Sequence, residues 1–273
     1  MPIANPRRRP ATPRCRPGRP TSPRQRPAPV QVVILAAGMG TRLGRSLPKP
    51  LTPLRDGQNI LLRQLDGLHA AFGKAVEITL VVGYKAEHIR RAAPGAAFVH
   101  NPDYARTNTS KSLLRALAAS RPGGVLWLNG DVVFDPAILQ HVAPAVHADQ
   151  SFVCVDTASV ADEEVKYTVD TAGFVHELSK TVVGGLGEAI GINYVSTADK
   201  PMLIEHLGRC DDWDYFERGI ETAITQHGMR IRPLEISAFA AVEVDFEEDL
   251  VRANQLCLPA PVHVRLRSDA APQ

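Results

Sequence analysis

The chain has 273 residues, 44% of them apolar and 22% charged, with 22 Pro, four Cys and a formal net charge of +2. Ordinary apolar content and few cysteines exclude a disordered, collagenous or disulfide-stapled protein. The near-neutral total hides an asymmetry: residues 1–29 carry eight Arg, nine Pro and no acid, which leaves 23 Lys and Arg against 29 acidic residues from Val30 onward, a net of −6. An acidic body gives no reason to expect a nucleic-acid partner. No stretch approaches the ~20 apolar residues that cross a bilayer, and the Arg/Pro-rich start lacks the apolar segment of a secretory signal. Cys15, Cys154, Cys210 and Cys257 show no metal-ligand spacing. The expectation is a cytoplasmic protein with reduced thiols and no membrane contact.

In chain order, residues 1–29 read as a disordered tail, because Pro recurs every few positions and there is little to bury. Such a tail is either an arm for an anionic partner or an inert extension upstream of the true start. Gln31–Ala37 is a continuous β-branched run ended by Gly38, which suits a strand buried on both faces. A Gly-rich loop follows to about Pro50. Asn59 then caps a helix to Phe72 whose apolar positions form a stripe. The reading continues with strand 77–82, helix 86–92, strand 96–100, helix 109–119 and strand 124–128. Strands alternating with helices predict right-handed βαβ units and a mostly parallel sheet. After Asp131 the rhythm changes to short runs at 152–155, 165–169 and 174–178, read as antiparallel pairing with a turn at Thr171–Gly173. A helix over 214–226 and strands near 230–236 and 240–245 close the body. Residues 30–257 are expected to form one catalytic domain, and residues 258–273 a second loose end.

Ligands of open parallel sheets sit beyond the carboxyl ends of the strands, so the loop after the first strand is the first place to look. There Leu35-Ala36-Ala37-Gly38-Met39-Gly40-Thr41-Arg42-Leu43 is followed by Pro48-Lys49-Pro50-Leu51. Glycines at 38 and 40 allow a tight turn whose N–H groups can face phosphate oxygens. Arg42 and Lys49 add positive charge, the first as a fork and the second as a point. A plain strand-to-helix turn is the competing explanation for Gly-x-Gly alone. A Walker A loop needs a Gly-Lys-Ser/Thr ending that is absent, and the dinucleotide-binding fingerprint needs a third Gly where Leu43 stands; Leu43 and the Pro-Lys-Pro-Leu motif together disfavour a nicotinamide-dependent dehydrogenase.

The whole motif resembles the signature of the sugar-nucleotidyltransferase-like superfamily. Its spacing, six residues between Arg42 and Lys49, is most similar to the small cytidylyltransferases of the phosphocholine and phosphonate group. The resemblance covers about residues 31–257 and implies a Rossmann-like three-layer αβα fold with a mixed, mostly parallel sheet. It implies that Leu35 to Thr41 wrap a nucleoside triphosphate, that Arg42 stabilises the leaving pyrophosphate, and that Lys49 contacts phosphates near the reacting phosphorus.

Val125–Asn129 runs into Gly130-Asp131, and Ala241–Val244 runs into Asp245. An acid at a strand end near a triphosphate loop suits Mg²⁺, which takes one or two carboxylates plus phosphate oxygens. Each could instead serve locally, Asp131 in a turn and Asp245 as a helix cap. Both placements match the family, which often carries Trp where Glu243 stands. Asp131 and Asp245 are therefore taken as the metal pair and, with Arg42 and Lys49, as the catalytic set.

On the nucleobase and acceptor side the resemblance carries over Asn101, Asn108 and Ser112. Lys180, followed by the strand that holds Glu188 and Asn193, resembles the family's acceptor-phosphate Lys and its next strand; Lys166 and Lys180 are both placed at strand positions and taken as substrate-binding, a solvated strand face being the alternative for each. Asp211-Asp-Trp213-Asp-Tyr215-Phe-Glu217 interleaves acids with aromatics, which could receive a cationic head group or simply start a helix. Nine His are scattered and none is given a catalytic role.

The expected activity is Mg²⁺-dependent transfer of CMP from CTP to a small phosphate or phosphonate acceptor, phosphocholine-like first, with release of pyrophosphate. Sugar-1-phosphate or inositol-phosphate transfer is the alternative, and a nucleotide-sensing binding protein of the same fold is the non-enzymatic one. The oligomeric state is open, a homodimer being compatible with the sequence.

Overall fold

The computed structural model describes residues 28–74, 76–158 and 164–257. The expected tails at 1–29 and 258–273, with Cys15, lie outside these apart from Ala28 and Pro29.

β1 (Gln31–Ala36) is buried along its whole length. Successive side chains point to opposite faces. Val32, Ile34 and Ala36 accordingly enter one apolar cluster, and Val33, Leu35 and Ala37 enter another. β1 lies between two parallel neighbours, β2 (Glu77–Val82) and β4 (Val125–Asn129), and β3 (Ala97–His100) adds parallel to β2. α1 (Ile60–Phe72), α2 (Ala86–Ala92) and α3 (Thr109–Ala119) make the crossovers. Asn59 caps α1 as expected, its Oδ1 accepting from Leu62 N at 2.9 Å. The sheet extends on the other side through β9 (Glu188–Val195), antiparallel to both β4 and β6 (Phe152–Asp156), with β10 (Arg232–Glu235) parallel to β6. β7 (Lys166–Val169) and β8 (Val175–Ser179) form the expected antiparallel hairpin around Gly173, whose φ is +79°.

α1 and α4 (Ala137–His147) cover one face of the sheet. α3, α5 (Lys200–Arg209) and α6 (Phe216–His227) cover the other. This is the three-layer α/β/α arrangement with a mixed sheet. Trp127, fully buried, meets Phe216 edge to face at 5.6 Å and joins β4 to α6; burying aromatics of this size contributes about 1.5–3 kcal/mol each.

α5 and β5 (Val132–Phe134) have no counterpart in the sequence reading. α5 is hidden there because buried polar groups interrupt its apolar stripe: Lys200 Nζ donates to Ser120 Oγ at 2.9 Å and Arg121 O at 2.6 Å, and His206 is also buried. β5, only three residues long, pairs antiparallel with β11 (Ala241–Glu243) in a separate two-stranded sheet. α7 (Glu247–Leu256) packs over this ribbon, its Leu250 and Ala253 sharing an apolar cluster with Leu43, Ile60, Val133 and Val244.

Candidate active site

The β5–β11 ribbon explains how two acids 114 positions apart in the chain come together. Glu243 sits opposite Val132. One step further Val244 N donates to Asp131 O at 3.0 Å, which places Asp245 beside Asp131. The turn holding Asp131 is clamped from below: the buried Gln64 of α1 donates through Nε2 to Asn129 O at 2.9 Å and Val132 O at 2.8 Å. Gly130 packs against β1, its N–H donating to Leu35 O at 3.0 Å. A Cβ there would stand 2.5 Å from that same oxygen, so the turn requires glycine.

The loop after β1 meets this turn. Gly40 has φ +59°, the left-handed region that favours glycine, and a Cβ on it would lie 2.6 Å from Lys49 Cγ. Lys49 opens a 3-10 turn over Lys49–Leu51. Its Nζ donates to Asp131 Oδ2 at 3.2 Å and to Asp245 Oδ1, while Arg42 Nη1 donates to Asp245 Oδ2 at 2.7 Å. Burial pulls the Lys49 pKa down, but Asp131 and Asp245 together outweigh it and hold the ammonium above its ordinary range. All four side chains line a cleft of about 630 Å³.

Leu35, Ala36, Ala37, Gly38, Gly40 and Thr41 line the same cleft, as do Asn108, Ser112, Lys180, Glu188, Tyr215 and Glu217. Five predicted residues are not brought there. Met39 turns outward and is exposed. Asn101 is fully buried and does not line the cleft: its Nδ2 donates to Thr107 Oγ1 and Ser112 Oγ, both at 3.1 Å, and its Oδ1 accepts from Asp103 N, which ties together the 101–112 segment. Asn193 is buried within β9, between β4 and β6. Lys166 lies on β7, opposite Ser179 and Glu188, and does not line the cleft. Trp213 is 67% exposed and meets the site only through its carbonyl, which accepts from Asn108 Nδ2 at 3.1 Å.

The acidic-aromatic cluster thus splits three ways, with Trp213 outside, Tyr215 on the cleft and Phe216 in the core. Lys180 stands in the turn after β8, not on a strand, with Nζ 5.1 Å from the Tyr215 ring centroid. Thr109 docks the segment, its Oγ1 accepting from Phe216 N at 3.1 Å. Glu217 Oε2 is buried without a hydrogen-bond partner among the described residues. Burial pushes this carboxyl up to about 7 against the pull of its own N–H and of Lys180.

Glu243, to which the sequence reading gave no role, lines the cleft. Its Oε1 accepts from Asn129 Nδ2 at 3.1 Å. Burial, then Asp131 and Glu164, push it up to about 8, while Asn129 pulls the other way. A carboxyl raised from 4.5 to about 8 keeps its proton in the folded chain where the unfolded chain has lost it. Its contribution to stability is complete below pH 4.5 and fades as pH rises toward 8. In Glu243→Gln that dependence vanishes, so the Tm of the variant relative to wild type should climb between about pH 5 and pH 8. A constant offset across that range in a thermal-melt series would contradict the assignment.

Asp245 does not cap α7, contrary to one of its sequence alternatives. Asp249 Oδ2 instead accepts from Asp245 N at 3.0 Å and Phe246 N at 2.7 Å, and Arg252 Nη2 holds Asp249 Oδ1 at 2.6 Å. Asp249→Ala should cost about 1 kcal/mol of stability and lower kcat by roughly ten- to hundredfold through misplacement of Asp245. Asp249→Asn, which keeps an acceptor, should restore much of kcat. Unaltered kcat in the alanine variant would separate Asp249 from the site.

Among the described residues no group of three or more His, Cys, Asp or Glu forms a metal cage. The donor set that does converge, two carboxylates already sharing one cation, fits a hard divalent ion completed by phosphate oxygens. No described helix is long and apolar enough to cross a membrane.

The MobA-like NTP transferase domain matches residues 32–191, more than half of the chain. The chain belongs to this family. That membership sets aside the nicotinamide-dependent dehydrogenase reading. The chain is 41% identical over 249 residues to the CMP-5'-(3-aminopropyl)phosphonate synthase of Streptomyces rubellomurinus, covering 83% of this chain but only 38% of that longer protein. Among solved structures, the inositol-1-phosphate CTP transferase of T. maritima superposes with a TM-score of 0.68 at 16% identity, over 84% of this chain and 95% of that one. The CTP:phosphocholine cytidylyltransferase of Streptococcus pneumoniae gives 0.67 at 17% identity, over 84% of this chain and all of that one. Those two likenesses establish the nucleotidyltransferase fold.

Proposed function

We propose that residues 30–257 form a catalytic unit that transfers CMP from CTP to a small phosphate or phosphonate acceptor bearing a cationic group, releasing pyrophosphate, with Mg²⁺ held by Asp131 and Asp245. The observation that carries this reading is the convergence of Arg42, Lys49, Asp131 and Asp245 on one point beside the 38–41 loop. An acceptor oxygen bonds to the α-phosphorus, the bond from that phosphorus to the bridging oxygen of the β-phosphate breaks, and pyrophosphate leaves with its electron pair. No general base is required, because the attacking phosphate or phosphonate oxygen is already an anion at neutral pH. Arg42 and Lys49 bind and neutralise the polyphosphate, and the 38–41 backbone turns around it. Mg²⁺ bound at the carboxylate pair would offset the negative charge of the reacting phosphoryl group.

In this reading Lys180 takes the acceptor's anionic end, and Tyr215 with Glu217 its cationic end, a reading supported by their shared place on the cleft wall. The phosphonate synthase relative supports a cytidylyl donor and an amine-bearing phosphonate; the phosphocholine enzyme supports the same charge pattern on a phosphate. The test is pyrophosphate release from each NTP with aminoalkylphosphonates, phosphocholine, inositol 1-phosphate and glucose 1-phosphate. Release with CTP and a zwitterionic acceptor is expected. Turnover confined to the uncharged-headed sugar and inositol phosphates would overturn the acceptor assignment, and turnover with another NTP alone would overturn the base.

A further inference from the structure

The cation at the carboxylate pair is supplied by the chain itself. Asp245 engages both of its oxygens, one with Lys49 and the other with Arg42, and Asp131 shares the same ammonium. Lys49 is only 12% exposed at its side chain, and its stem lies against Gly40 in the loop proposed to carry the polyphosphate. One flexible four-carbon side chain therefore reaches both the acids and the loop. An ammonium is a compact point charge with three donors, able to change partners by rotating its stem. Lys49 and Arg42 already balance the charge of the two carboxylates, so a further cation brought to the pair meets the repulsion of both.

We propose that Lys49 is the resident counter-ion of the Asp131–Asp245 pair, so that the nucleotide-free protein binds a divalent cation weakly, and the pair becomes available only when a polyphosphate draws Lys49 away. This rests on the nucleotidyltransferase reading of the cleft and adds a second role for Lys49, before the phosphates arrive. Polyphosphate and divalent cation are then linked through one side chain, and by reciprocity each raises the affinity for the other by the same factor. The order in which the site fills follows: the side chain that grips the phosphates must first release the acids.

The test is Mn²⁺ binding to the nucleotide-free full chain, followed by electron paramagnetic resonance. Lys49→Gln, which removes the charge but can still bond to both carboxylates, should bind Mn²⁺ at least tenfold more tightly than wild type. Lys49→Met provides the same loss of charge should the first variant fail to fold. Lys49→Arg keeps the charge and should stay as weak as wild type. Adding Asp131→Asn to Lys49→Gln should abolish the gain, which places it at the pair. Mn²⁺ binding to the neutral variants that is no tighter than to wild type, or is absent from all, would overturn the inference. No turnover is involved, so a chain that transfers no CMP yet gains Mn²⁺ affinity on loss of Lys49 would refute the proposed function and leave this inference standing.

Discussion

Asp131→Asn should lower kcat/KM for nucleotidyl transfer by about a thousandfold or more, equivalent to about 4 kcal/mol of transition-state stabilisation. The substitution keeps the shape of the side chain, and Lys49 retains Asp245 as a partner. The turn also stays anchored from elsewhere, by Gln64 on the carbonyls of Asn129 and Val132 and by Val244 on the Asp131 carbonyl. The Tm is accordingly expected to move by only a few degrees. The loss should fall mainly on kcat, because the removed charge is used where negative charge is redistributed between the α- and β-phosphates. A variant that retains a tenth of wild-type kcat would place Asp131 outside the reacting centre.

Arg42→Ala is the second large effect expected, a fall of about a hundred- to a thousandfold in kcat, the scale seen when one preorganised donor to a developing anion is removed. Arg42 is half exposed and its ion pair with Asp245 is open to solvent, so its contribution to stability is small and folding is not the issue. The KM for the nucleotide should rise as well, since the proposed function has Arg42 bind the ground-state triphosphate. Arg45, whose Nη2 donates to both carboxylate oxygens of Glu247 at 2.9 Å and which does not line the cleft, provides the control: Arg45→Ala should leave kcat within a few-fold of wild type. Equal losses in the two variants would mean that net charge, and not the position of Arg42, is responsible.

Legibility in the sequence followed the range of the interactions involved. β1, its glycine loop, the α1 cap and the parallel strands up to β4 are local patterns of apolar period and turn chemistry, and they stand where expected. The reading of Asp131 and Asp245 as partners came from the family motif. What brings them together is a pairing between two three-residue strands more than a hundred positions apart, which no local window contains. Glu243 was invisible for the same reason: on its strand it is one acid in a short alternating run, and only register with Val132 turns it into the cleft.

Asn101 and Asn193, expected on the site, are instead buried away from the cleft lining. A polar residue within a recognisable motif reads as a ligand contact, yet buried amides also serve the interior, and Asn101 spends both its donor and its acceptor on the 101–112 segment. The aromatic cluster at 213–217 could not be divided by sequence. The chain turns there from a loop into α6, and neither strand nor helix period applies across the junction. α5 fails as a pattern because Lys200 and His206 are buried with hydrogen-bond partners, which removes two positions from its apolar stripe.

The most direct test is a crystal structure of the wild-type chain with Mg²⁺ and a CTP analogue whose α–β bridging oxygen is replaced by a methylene. The account predicts the polyphosphate against residues 38–42, the ion between Asp131 and Asp245, and Lys49 Nζ moved from the carboxylates onto phosphate oxygens. A polyphosphate bound away from the 38–42 loop, or an ion held without either aspartate, would contradict it.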